Sequence, residues 1–141
     1  MKRIPGCIVM TLVLGACSLG TDGEAREPGI VASAALKTPV LVAPTTVAAG
    51  QTFQVTVTTL GLHSCYRAGG ADVTLAATEA RIRPYDHIAT IDCKQGELLL
   101  SRTVALHFDT PGTARIVVEG QNDPRLGQIS IVRVEQTVTV Q

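Results

Sequence analysis

Cysteine and histidine carry most of the chemistry this chain could do. His63 and Cys65 stand at i, i+2, and His87, Cys93 and His107 are the further imidazole and thiol candidates. Imidazole and thiolate are suitable ligands for zinc or copper. The spacings that organise such sites are missing, since the sequence contains no CxxC, no HxxxH and no HExxH. Nucleophilic catalysis needs a nucleophile, a base and an orienting group brought together. Ser64 beside His63, Ser101, and Asp86 beside His87 are the available pieces, but neighbours on a strand point to opposite faces. There is no GxSxG and no glycine-rich phosphate loop. No enzymatic activity, metal or other cofactor is expected. Arg81 and Arg83 flank Ile82 and share one face of a strand, with Tyr85 and Arg67 as possible neighbours. Such a set could hold a carboxylate or phosphate through charge-assisted forks, or contact a partner. With Phe53, Tyr66, Tyr85 and Phe108 as the whole aromatic complement, glycan binding by stacking is disfavoured.

The N-terminus says where this chemistry would operate. Lys2 and Arg3 precede an apolar stretch centred on 8–14, and the small residues Gly15 and Ala16 follow. Basic, apolar and small is the order of a secretory signal. The stretch is about half the ~20 residues a membrane-crossing helix needs. Leu14-Gly15-Ala16-Cys17 resembles the lipobox of bacterial lipoproteins. The resemblance implies a signal peptide at 1–16 and a lipid on Cys17, hence a membrane anchor in the cell envelope. Ser18 stands where that family's inner-membrane retention signal has Asp, which implies the outer membrane. More than one acyl chain gives stable anchoring without a basic patch. With Cys7 removed and Cys17 acylated, Cys65 and Cys93 remain, and an even pair in an exported chain reads as a disulfide. Closing that loop is worth about 3.6 kcal/mol in the chain-entropy model.

Lys and Arg number 12, as do Asp and Glu, so no electrostatic footprint points to nucleic acid. Removing Lys2 and Arg3 leaves ten basic and twelve acidic residues, a mature net charge of −2.

Residues 17–37 show no sustained period and carry Gly20, Gly23, Pro28 and Gly29, so they read as a lipidated Cys and flexible tether, with docking or a helical turn at 30–36 as the alternative. The remaining elements come from 38–141. Val, Ile and Thr supply 37 of the 124 residues after Cys17, a composition suited to pleated, half-buried surfaces. Phe53, Val55 and Val57 alternate with polar neighbours, as do Val104, Leu106 and Phe108, and then Ala114, Ile116 and Val118. This is the period of strands with one buried face. Ile129 and Ile131 fall on the opposite parity to Val132 and Val134, so a bulge or two-sided burial is expected there. Gly69-Gly70 reads as a tight hairpin turn, and Pro84 as a break after Arg83. About seven or eight short strands fit an antiparallel sandwich.

VAPTTVAAGQTFQVTVTT and LHFDTPGTARIVVEG resemble strands of bacterial immunoglobulin-like domains, although the chain has no Trp to pack on a disulfide. The resemblance implies an all-β, antiparallel, immunoglobulin-like β-sandwich and brings no binding residues. FDTPGTARIVV also resembles the strand that leads into the copper-ligand loop of cupredoxins, but Glu119-Gly120-Gln121-Asn122-Asp123 follows where ligands would be needed. The expected role is a lipid-anchored structural or protein-interaction module with an envelope protein as partner. The alternative is an inhibitor or chaperone of an exported enzyme that presents 60–67 and 83–94 as loops.

Overall fold

The computed structural model describes residues 24–141, so the signal segment and Cys17 lie outside the described residues. The described chain is all β. Four short strands come first: β1 (Ala25–Pro28), β2 (Ile30–Ala32), β3 (Leu41–Val42) and β4 (Thr46–Val47). Six long ones follow: β5 (Phe53–His63), β6 (Tyr66–Leu75), β7 (Glu79–Ile88), β8 (Gln95–Leu106), β9 (Gly112–Asn122) and β10 (Ile131–Val140). A single 3-10 turn at Pro124–Leu126 interrupts them. Ten strands exceed the expected seven or eight because β1 to β4 are two to four residues long, too short for a period of two to be read.

All ten strands are joined through hydrogen-bonded neighbours, and the pairing is mixed rather than purely antiparallel. β5 pairs β8, β6 pairs β7 and β9 pairs β10 in antiparallel register. β7 and β9 are parallel, with Glu79 opposite Arg115 and Ile82 opposite Val118. The connection explains this. After β7 the chain crosses to β5 as β8 and returns beside β7, so β9 runs in the same direction as β7. β4 with β10 and β2 with β9 are also parallel.

The alternating residues meet in one core. Val55, Val57, Val104 and Leu106 from β5 and β8 pack with Ala80, Ile82, Ala114, Ile116, Val118, Val138 and Val140 from β7, β9 and β10. Phe108 lies 6.0 Å from Phe53, ring centre to ring centre, and closes one end. The cystine is at the other end: Cys65 and Cys93 form a disulfide with Cα atoms 5.3 Å apart.

The reading of 17–37 as a flexible tether is corrected over residues 25–32. These form β1 and β2, and Ile30 and Val31 are buried. β1 lies antiparallel along the second half of β7, from Ala25 opposite Ile88 to Pro28 opposite Tyr85. The chain then turns at Gly29, and β2 runs parallel to the end of β9 while Ile30 also pairs with Leu60 of β5. Residues 25–32 are thus a wedge between β7 and β9 where those strands part. Pairing and burial of Ile30 and Val31 outweigh the local signals of Pro28 and Gly29. The ordered domain therefore begins well before 38.

Other expectations change for related reasons. Gly69 and Gly70 make no hairpin. They sit inside β6 at a register shift between Ala68 and Ala71, and the β6–β7 turn comes at 76–78, closed by the Ala76 amide on the Glu79 carbonyl at 2.8 Å. Pro84 does not end a strand. It lies in β7 beside that shift, where β7 changes partner from β9 to β1, and a residue without an N–H is tolerated at such irregularities. Ile129 and Ile131 are neither bulged nor buried on two sides; they are 65% and 63% exposed. The segments 60–67 and 83–94 are mostly strand, leaving only Ser64-Cys65 and 89–94 as connections.

Candidate functional site

A polar knot under the wedge fixes the second half of β7. Asp86 of β7 and Arg102 of β8 are buried, and an Arg102 Nη2 to Asp86 Oδ1 bond of 2.7 Å joins them. The Thr59 hydroxyl donates to the Asp86 carboxylate at 2.9 Å. Arg102 also donates to the carbonyl oxygens of Tyr85 at 2.7 Å and Leu100 at 3.1 Å. A buried charge pair is tolerable when further hydrogen bonds satisfy its remaining atoms, and all but Arg102 Nε are satisfied. The Asp86 carboxylate is thus occupied by Arg102 and Thr59.

With Asp86 turned inward, Tyr85 is turned outward by the strand's alternation. Its ring lies over Gly69 and Gly70, where a Cβ would meet Tyr85 atoms at 2.5 and 2.6 Å. This explains the adjacent glycines. The Arg26 guanidinium of β1 stacks on the ring, 3.6 Å from its centre, and pairs with Asp72 of β6. His87 meets the same ring edge-on at 5.7 Å.

Beside Tyr85 the outer face carries a charge ladder. Glu119 of β9 is buried among three guanidinium groups, with Arg81 at 3.1 Å, Arg83 at 3.0 Å and Arg133 at 3.2 Å. Burial pushes the Glu119 carboxyl up, but the hydrogen bond from Arg83 and the charges of Arg81, Arg83 and Arg133 outweigh it and hold the group below its usual range. Glu79 accepts hydrogen bonds from Arg115 and Arg81, which lower it as well. At the end of β9, Asp123 accepts from Arg125 and from the Ser33 hydroxyl at 2.8 Å. The Arg125 hydrogen bond is the largest influence and places Asp123 far below the carboxylate range despite burial. Ser33 to Asp123 ties the exit of the wedge to the turn after β9.

Between wedge and ladder lies an open groove of about 370 Å³. Pro28, Pro84, Tyr85, Gly120 and Ile131 contribute its apolar and backbone surface, while Arg26, Glu27, Asp72, Arg83 and Glu119 supply charge. Gly120 is required here because a Cβ would lie 2.5 Å from the Gly29 carbonyl oxygen.

The four residues expected to grip an anion separate. Arg83 and Tyr85 line the groove. Arg81 is held between Glu79 and Glu119, and Arg67 pairs with Glu24. Arg81 and Arg83 both point Nε at Glu119, so these donors are already engaged by a carboxylate that Arg133 shares. Arg26, Asp72, Glu119 and Ile131 were not anticipated as lining residues. Arg26 lies in the segment that reads as tether, and the place of Glu119 depends on its strand partners.

The metal and nucleophile candidates have partners of their own. His63, Cys65 and Cys93 have ligand atoms within 4.8 Å of one another, but the two sulfurs are bonded together. His87 is engaged with Tyr85, and His107 lies beside Asp109 at 3.9 Å. The Ser64 hydroxyl accepts from the Lys94 amide at 2.8 Å, and Ser101 hydrogen-bonds Thr58 at 2.9 Å. No known protein family, curated protein or solved structure matches the chain.

Proposed function

We propose that this protein is a lipid-anchored protein-interaction module of the bacterial envelope, built as an immunoglobulin-like β-sandwich, and that the groove beside Tyr85 is its contact surface. The sandwich reading is supported by facing sets of apolar side chains from β5 and β8 on one hand and β7, β9 and β10 on the other. The anchoring reading rests on Leu14-Gly15-Ala16-Cys17 after a short apolar segment. The single observation that carries the contact surface is the groove itself, an apolar floor rimmed by charged groups already held in place by their neighbours. Pre-positioned side chains lose little freedom on binding, which favours association. Its lining carries three carboxylates, Glu27, Asp72 and Glu119, against two guanidinium groups, Arg26 and Arg83. Asp72 is paired with Arg26, and Glu119 is shared by Arg81, Arg83 and Arg133, so the rim suits a polypeptide segment that offers apolar side chains flanked by hydrogen-bonding ones. Strand-bound positions within 60–67 and 83–94 give little support to a loop-presenting inhibitor.

The test is site-specific photocrosslinking in intact producing cells, with the photoreactive side chain at Ile131 in the groove or at Leu75 on β6. A discrete envelope-protein adduct from Ile131 and none from Leu75 is expected. Equal labelling from both, or none from Ile131 in a stably expressed protein, would refute the groove as a contact surface.

A further inference from the structure

The three most exposed large apolar side chains among the described residues are Ile91, Leu126 and Ile129, at 78%, 69% and 65%. They belong to two connections, β7–β8 and β9–β10, and the topology puts both at one end of the domain. β7 and β9 are parallel with Ile82 level with Val118, so the segments following Ile88 and Asn122 emerge side by side. The Arg125–Glu97 ion pair at 3.0 Å joins the second connection to the start of β8.

The same end receives the chain from Cys17. β1 begins at Ala25, which is opposite Ile88, the last residue of β7. Eight residue steps separate Cys17 from Ala25, and fully extended they span at most about 28 Å. The 20-residue tether expected from sequence would have let the domain stand clear of a membrane and rotate. The shorter leash, attached at the end that carries the apolar tips, keeps that end within about 28 Å of an anchored Cys17.

Ile91 is also fixed in its outward position. Asp92 has a left-handed φ of 58°, Cys93 is bound to Cys65, and the Ser64 amide donates to the Lys94 carbonyl at 2.9 Å. Ordering a loop so that it displays an isoleucine to water has no packing return within the domain. A single exposed apolar residue is ordinary; the gathering of Ile91, Leu126 and Ile129 at one end is what points to a contact surface.

We propose that the end bearing Ile91, Leu126 and Ile129 rests on the phospholipid surface of the bilayer that anchors the chain, the three side chains reaching the headgroup–acyl boundary. This deepens the proposed function and rests on lipidation at Cys17. Lys94 and Arg125 are accompanied there by Asp92 and Glu97, so the contact is apolar rather than charge-driven. Its orienting consequence is that the long strands stand up from the bilayer and Leu75, at the far end of β6, points away.

The absence of Trp from the chain allows a direct test. Full-length protein carrying Ile91→Trp, or separately Ile129→Trp or Leu75→Trp, is produced with its lipid and reconstituted in phosphatidylethanolamine–phosphatidylglycerol vesicles containing brominated acyl chains. The indole at position 91 or 129 is expected to emit at shorter wavelength than in water and to lose emission to the brominated lipid, unchanged by salt. The indole at 75 is expected to do neither. If Cys17 is acylated and the protein floats with the vesicles, yet positions 91 and 129 emit as in water, the docking proposal fails while the anchor stands. If Cys17 carries no acyl chain and the protein does not float, both fail.

Discussion

The Gly29 amide donates to the Pro84 carbonyl oxygen at 2.9 Å, placing the tip of the N-terminal wedge where β7 leaves β9. The Gly29 carbonyl accepts from the Gln121 amide at 2.9 Å on the other side. One residue thus bridges two strands that no longer bond each other, and it must be small: a Cβ would lie 2.4 Å from the Thr59 methyl. Gly29→Ala should destabilise the domain by about 1–3 kcal/mol, the usual range for overpacking. Adding Thr59→Ser removes the clashing methyl and keeps the hydroxyl for Asp86, so it should restore part of the loss. Thermal unfolding of the two single variants and the double variant reads this coupling.

Asp86 and Arg102 should behave as a unit. Asp86→Ala strands a buried guanidinium and should cost roughly 3–5 kcal/mol, whereas Asp86→Leu with Arg102→Met should cost clearly less. Urea unfolding of each variant gives the comparison. A cost for the double variant equal to the sum of the costs of Asp86→Leu and Arg102→Met measured singly would mean that the pair is not coupled.

The face that holds these groups was only partly legible in the sequence. Alternation located β5, β8 and β9 and set Val55, Val104 and Ile116 on buried faces, because a period of two persists over many residues there. It failed where partners overrule local signals. Pro28 and Gly29 read as tether, yet the wedge is ordered by Ile30 and Val31 and by bonds to β7 and β9. Gly69 and Gly70 read as a turn because nothing near them in sequence indicates the ring of Tyr85. Arg81 and Arg83 were correctly set on one face, but their shared partner Glu119 lies 36 residues beyond Arg83, a separation that no local pattern reports.

Acid should weaken the fold through the same carboxylates. Glu119 and Asp123 are held below their ordinary values in the folded protein, while in the unfolded chain they titrate near pH 4. The unfolded state therefore binds protons first, and stability falls as pH drops. The contribution is complete at neutral pH, begins to fade near about pH 5 and is lost as pH falls through the folded values. Urea midpoints measured from pH 7 down to pH 3 should fall, with a shallower decline for Glu119→Gln.

Breaking the cystine should lower stability without changing the strand order. The 28-residue separation of Cys65 and Cys93 corresponds to about 3.6 kcal/mol in the chain-entropy model, a large part of the roughly 5–15 kcal/mol typical of a domain. Cys65→Ala with Cys93→Ala should show a markedly lower Tm and an unchanged far-ultraviolet circular dichroism spectrum. A Tm equal to that of the parent protein would contradict a stabilising role.

Mass spectrometry of the mature N-terminus, on protein isolated from producing cells, tests the anchored-module reading most directly. We expect a chain that begins at Cys17, with diacylglycerol on its sulfur and an acyl group on its amine, and that retains the wedge at 25–32. An unmodified Cys17, or a mature chain that begins elsewhere, would contradict it.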